Sequence, residues 1–342
     1  MGIATNTFLD ACYGRNTGRI PIWIMRQAGR YLPEYRNVRA EVSFEELCRR
    51  PDLIATVVAQ PVARFELDAA ILFSDILTLL EPMGINVSFP EGGPRLTPTV
   101  TALADVERLK TVDPSRDLAF VLEGITRIKE TLSHLPLIGF SGSPFTLACY
   151  LIEGHTSRTF DSAKQFLYAQ PSAAALLFDK LTQAVSDYLK AQVQAGADAV
   201  QIFESWGGVL PHDDFQRWVV QPVQEIFRHL GQKVPRLLFV NNIAPYLDLI
   251  RNVGCEVVSV DYRVSLKQAA TVLPRHTIQG NLDPAVLFAT PEYVRQRTEQ
   301  LLADVPEPAR FIFNLGHGIL PHTPLESVEA MVSAVHSYRR NL

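Results

Sequence analysis

Two arginines, Arg26 and Arg30, bracket the tripeptide Gln27-Ala28-Gly29. A guanidinium is planar and always charged, and it can grip a carboxylate through two parallel N–H donors. Two of them on one short loop suit an anion that carries several carboxylates. Gly29 would let the backbone come close to such a ligand. A single carboxylate, Asp75, closes the apolar run Ala69–Phe73 after Ser74. Tyr150 and Ser205 offer hydroxyl donors, and His317, set between two glycines, offers a further donor or a cation. Phe203 offers a face for a ring. Plainer roles compete: Asp75 can cap a helix, and Tyr150 and Phe203 can simply pack the core. Charges at Arg26, Arg30 and Asp75 are costly to desolvate, which favours function there.

Other chemistries find little support. The sequence has no HxC, HxH or HExxH, and His317 and His322 are separated by Pro321 without a partnering cysteine, so a catalytic metal is not expected. Gly139-Phe140-Ser141-Gly142 lacks the spacing of a nucleophile elbow. Neither GxGxxG nor GxxxxGK occurs, so the dinucleotide and P-loop readings lose support. The net charge of -4 gives no basic excess for nucleic acid or an acidic membrane surface. Cys12, Cys48, Cys149 and Cys255 are far apart and form no CxxC, as in a reducing compartment. The start, MGIATNTFLD, has no cationic and apolar leader pattern, and the most apolar stretch, Leu67–Leu80, is too short for a span and holds two aspartates. A cytoplasmic protein is expected.

The elements that must position these residues follow from periodicity. Of the 342 residues, 47% are hydrophobic and 20% charged, which fits a globular chain. Eight short apolar runs recur: Ile20–Met25, Ala69–Phe73, Pro136–Phe140, Ala199–Phe203, Arg236–Val240, Glu256–Val260, Thr277–Gly280 and Arg310–Asn314. They mostly lack polar alternation, as do parallel strands buried on both faces. Amphipathic stretches separate them. Ser43 and Glu46 form a capping box, Pro51 opens a helix, and Pro61 is expected to end or kink it. Further helices are expected at Pro171–Ala195, closed by Gly196, and at Pro211–Leu230, Pro245–Asn252, Pro291–Leu301 and Thr323–Arg340. Eight such units predict an α/β chain folded as a single (β/α)8 TIM barrel over residues 1–342, with a Pro- and Gly-rich insertion, Glu81–Leu109, after the second strand. An open doubly wound sheet is the alternative. In a barrel, residues that follow the strands line the active-site mouth. Those positions include Arg26, Arg30, Asp75, Ser141, Ser143, Glu204, Ser205, Asn241, Asp261, Arg263, Asn281, Asp283 and His317, with Asp283 before Pro284 reading as a helix cap.

Several of these stretches resemble the uroporphyrinogen decarboxylase family. Pro21-Ile22-Trp23-Ile24-Met25-Arg26-Gln27-Ala28-Gly29-Arg30-Tyr31-Leu32-Pro33-Glu34-Tyr35 is similar to its N-terminal signature. Gly139-Phe140-Ser141-Gly142-Ser143-Pro144-Phe145-Thr146-Leu147, with Tyr150 and Glu153-Gly154, resembles its second. Phe73-Ser74-Asp75-Ile76-Leu77, Phe203-Glu204-Ser205 and Asn314-Leu315-Gly316-His317-Gly318 also match, from about Asn6 to the last helix. One departure is Gly207, where members often carry Ala. The resemblance implies a homodimer that uses no metal and no organic cofactor. The implied substrate is uroporphyrinogen III, whose four acetates each lose CO2 to give coproporphyrinogen III in haem synthesis. It implies catalytic roles for Asp75 and Arg26, with Arg26 as a candidate proton donor. It implies substrate binding by Arg26, Gln27, Ala28, Gly29, Arg30, Asp75, Tyr150, Ser205, His317 and Phe203. Two other classes stay open: a zinc- or cobamide-linked methyltransferase of the same superfamily, and a non-catalytic tetrapyrrole-binding protein.

Overall fold

The computed structural model describes residues 6–338, so the start of the sequence and the expected helix end at Arg340 lie outside the described residues. After β1 (Ala70–Ile71) the chain forms an antiparallel hairpin, β2 (Asn86–Ser88) with β3 (Arg95–Thr97). It then builds β4 (Leu137–Gly142), β5 (Ala199–Glu204), β6 (Arg236–Val240), β7 (Val257–Val260), β8 (Thr277–Leu282) and β9 (Phe311–Leu315). The parallel sheet runs β1-β4-β5-β6-β7-β8-β9. Seven of the eight expected runs are therefore strands, and nearly every residue in them is buried. Helices return the chain between most of them, which is why the runs show no polar alternation.

The sheet is curled. Gln279 of β8 donates to Gln201 of β5 at 3.0 Å, and both side chains are buried. These strands stand three places apart, and a flat sheet would hold them about 14 Å apart. Trp23 reaches into the same interior and donates its indole N–H to Gln279 at 2.8 Å.

The first expected strand is corrected. Ile20–Met25 is not a strand; only Ile22 makes an isolated parallel bridge, to Phe313. Pro21 has no N–H to give to a ladder. Side chains take the amides that a neighbouring strand would have taken: Ile22 N–H donates to Asp68 Oδ2, Ile24 N–H to Gln27 Oε1 and Met25 N–H to Asn314 Oδ1, at 2.8, 3.1 and 2.9 Å. The segment still touches both sheet edges, since Asp68 N–H donates to Ile22 O and Phe313 N–H to Pro21 O.

The helices follow their local signals with three exceptions, one of them Pro245–Asn252, which is only a 3-10 turn, Ala244–Tyr246, followed by a short helix, Leu247–Ile250. The capping bond from Glu46 N–H to Ser43 is present, and Pro171–Ala195 is one helix that stops at Gly196. Pro61 does not end its helix, which continues from Pro51 to Phe65. Pro211–Leu230 is not uniform: His212–Phe215 and Gln221–Leu230 flank a π-helical turn, Gln216–Val220. Pro222 explains the turn, because it cannot donate to the carbonyl four residues back and crowds it.

Candidate active site

The loop that begins at Arg26 is clamped from two sides. Gln27 is buried, and its amide is spent inside the protein on Ile24 N–H and on Ala69 O. Tyr31 donates to Gln27 O, and Arg36 donates to the carbonyls of Arg30 and Tyr31. Ala28 and Gly29 are half-buried between the two arginines. Arg26 has φ +66°, a left-handed conformation that is costly for a side chain of this size. Its side chain runs over Gly318, where a methyl would overlap Arg26 Cδ. Ile319 N–H donates to Met25 O at 2.9 Å and locks the Arg26 loop to the loop after β9.

This packing places Arg26 beside His317. It also acts electrostatically on Asp75 and Tyr150, so the four side chains share one mouth. Asp75 is half-buried; Oδ1 accepts from Leu77 N–H at 2.8 Å and Oδ2 has no donor among the described residues. The turn role and a ligand role are thus divided between its two oxygens. Burial pushes its pKa up from 3.8 to about 6, opposed by the Leu77 amide and by Arg26. Tyr150, on the helix Pro144–Glu153, is pushed up to about 12 by burial and by Asp75, so its hydroxyl stays a proton donor. His317 is lowered to about 4 by burial and then by Arg26 and Arg263. Between donor and cation, the structure therefore selects the neutral imidazole at physiological pH.

The aromatic residues form a wall. Phe203 lies 5.6 Å from Phe140 and 5.8 Å from Phe239, centroid to centroid, and Phe239 lies 6.1 Å from the His317 ring. Ser205 follows β5, half-buried, with its amide held by Thr146 Oγ1 at 2.9 Å. Arg30 stands apart. It lines a groove of about 1010 Å³ on the outer flank of its loop, together with Arg36, Arg39 and His322. Among the described residues neither Arg26 nor Arg30 has a carboxylate partner within 4 Å, and no group of three His, Cys, Asp or Glu could hold a metal ion. No helix among them is long and apolar enough to cross a membrane.

The family description Uroporphyrinogen decarboxylase (URO-D) matches residues 4–338. A uroporphyrinogen decarboxylase from Geobacter metallireducens is 46% identical over 334 residues, covering 97% of this chain and 98% of that protein. One from Citrifermentans bemidjiense is 43% identical with the same coverage. The chain belongs to the uroporphyrinogen decarboxylase family. The same fold occurs in a methyltransferase from Methanosarcina mazei, with a TM-score of 0.80 at 22% identity over 96% of this chain and 97% of that one.

Two of the expected mouth positions carry no specific role from sequence alone. Glu204 is fully buried at the end of β5. Its Oε1 accepts from Thr146 Oγ1, Trp206 N–H and Gly207 N–H at 2.7, 2.8 and 2.7 Å, and burial raises its pKa. Thr146 thus links Glu204 to the Ser205 amide. Its place in the second signature was the available signal. Arg263, directly after the sixth apolar run, is the other.

Proposed function

We propose that this protein is a uroporphyrinogen decarboxylase that converts the four acetates of uroporphyrinogen III to methyl groups, giving coproporphyrinogen III. The observation that carries this reading is one half-buried carboxylate, Asp75, whose Oδ2 has no donor among the described residues, in a mouth it shares with Arg26, which has no carboxylate partner within 4 Å among them. Loss of CO2 from an acetate needs an electron sink. Protonation of the pyrrole α-carbon next to the acetate-bearing position makes the ring cationic. The bond to CO2 then breaks, and its electron pair flows into the ring to leave an exocyclic methylene. A proton added to that carbon gives the methyl, and loss of the ring proton restores the pyrrole.

Asp75 supports this sequence by facing the pyrrole N–H groups and stabilising the cation. At ~4 Å and an effective dielectric of ~20 such a pair is worth about 4 kcal/mol, or roughly a thousandfold in rate. Arg26 grips a substrate carboxylate and is the candidate proton donor. Arg30, facing the outer groove, positions a peripheral carboxylate. Tyr150, Ser205 and neutral His317 donate hydrogen bonds to others, Phe203 packs on the macrocycle, and the backbone of Gln27, Ala28 and Gly29 borders it.

The reading extends to a single domain closed as an eight-membered barrel, with Ile20–Met25 as its eighth stave and Glu81–Leu109 as an insertion. It extends to a homodimer in the cytosol, a setting that suits four free, buried cysteines. Anaerobic incubation of chelator-treated protein with uroporphyrinogen, followed by chromatography of the oxidised porphyrins, tests the reading. Stepwise loss of carboxylates without added cofactor is expected. Activity that vanishes on chelation and returns with zinc would favour a metal-dependent methyltransferase relative.

A further inference from the structure

Arg263 stands where the loop after β7 meets the loop after β9. Gly316 lies so close to this loop that a methyl there would overlap Tyr262 N, and the next residue is His317. The far side of the same glycine turn holds Arg26. Arg26, His317 and Arg263 therefore share one rim. The rim continues to Ser205: Arg263 Nη1 reaches Asn241 Oδ1 at 3.5 Å, and Asn241 Nδ2 reaches Ser205 O at 3.4 Å.

The guanidinium is pre-oriented. Fully buried Asp261 accepts from Arg263 N–H at 2.8 Å and from Nη1 at 3.2 Å. The Tyr262 ring lies 4.4 Å below the guanidinium carbon, and its hydroxyl accepts from Nη2 at 2.8 Å. Asn281 pins the loop by donating to the carbonyls of Asp261 and Val264 at 2.9 and 2.7 Å. The side chain is nonetheless 46% exposed, and its Nε–H and second Nη2 proton have no acceptor among the described residues. An exposed arginine without a ligand-binding role has no need of this much bracing, whereas an anchor loses less freedom on binding when it is held beforehand.

We propose that Arg263 is a further carboxylate anchor of this site and holds a propionate of the tetrapyrrole. This rests on the uroporphyrinogen reading. The choice of propionate follows from the chemistry, because all four acetates are consumed in turn. An anchor that serves every round must hold a group that survives.

The test compares KM and kcat for uroporphyrinogen and for its pentacarboxylate intermediate. Arg263→Gln is expected to raise KM about tenfold for both substrates with kcat within twofold, the pattern of lost uniform binding. Arg263→Lys, which keeps a charge opposite Asp261, is expected to raise it about threefold. It also carries the test if the Gln variant fails to fold. Arg228→Gln, on a distant surface, serves as the control. Wild-type KM for both substrates in the folded variants overturns the proposal, as does a fall in kcat at unchanged KM. A rise in KM confined to uroporphyrinogen overturns the propionate assignment. Wild-type protein that turns over neither substrate overturns the uroporphyrinogen reading itself.

Discussion

Replacing Asp75 with Asn separates what this residue does for the reaction from what it costs the fold. Asn keeps the shape and the Oδ1 acceptor for Leu77 N–H but removes the charge. Burial holds the Asp75 pKa at about 6 instead of 3.8. That gap costs the native state about 3 kcal/mol at pH 7: the penalty is absent below about pH 4 and builds as pH rises to about 6. Asp75→Asn should therefore be more stable than wild type at pH 7 by up to about 3 kcal/mol. For a chain of 342 residues this corresponds to roughly 3–4 °C in Tm. The gain should vanish near pH 4, where wild-type Asp75 is protonated. His317 works in the opposite sense. Its pKa of about 4 makes the fold lose stability as pH falls below 6.5 towards 4. The two groups oppose one another in wild type, so the variant should show the steeper acid destabilisation. At pH 7 the kcat of the variant should be about a thousandfold below wild type, a deficit that shrinks towards pH 4 as wild-type Asp75 itself becomes neutral. Thermal melts from pH 4 to 7 and product chromatography read both effects. Near wild-type turnover, or a variant less stable at pH 7, would refute the reasoning.

Three further expectations follow from the same geometry. Arg30→Lys should raise KM roughly tenfold with kcat little changed, whereas Arg26→Lys should lower kcat as well, and steady-state kinetics with circular dichroism separate these from loop collapse. Gly318→Ala should displace the Arg26 side chain and lower kcat at least tenfold while the far-ultraviolet spectrum stays unchanged; full activity would show that the contact does not position Arg26. The His317 imidazole should titrate near pH 4 by NMR and rise in Arg26→Gln; a midpoint near 6.5 would contradict a neutral donor that is shielded and flanked by arginines.

Seven strands were legible because parallel strands buried on both faces leave runs without polar alternation. The run Ile20–Met25 looks the same in sequence, yet it owes its burial to the inside of the curled sheet and its hydrogen bonds to Asp68, Gln27 and Asn314. Such long-range amide substitution leaves no local pattern. The π-turn before Pro222 likewise depended on a proline whose effect could have been a kink, a break or a bulge. Arg26, Asp75, Tyr150 and His317 are legible as neighbours because each follows an apolar run or sits in a signature. Gln27 shared a motif with Arg26, but its amide points inward, which motif spacing does not reveal. Arg263 was visible as a post-strand residue, but its bracing by Asp261 and Tyr262 appears only in three dimensions.

The most direct measurement is the stoichiometry of CO2 released per tetrapyrrole from uroporphyrinogen labelled in its acetate carboxyls. The account predicts four labelled CO2 per macrocycle and a tetracarboxylate product in the wild-type protein, with release reduced about a thousandfold in Asp75→Asn. An octacarboxylate that binds and is recovered intact, with no labelled CO2, would contradict it and leave a tetrapyrrole-binding protein.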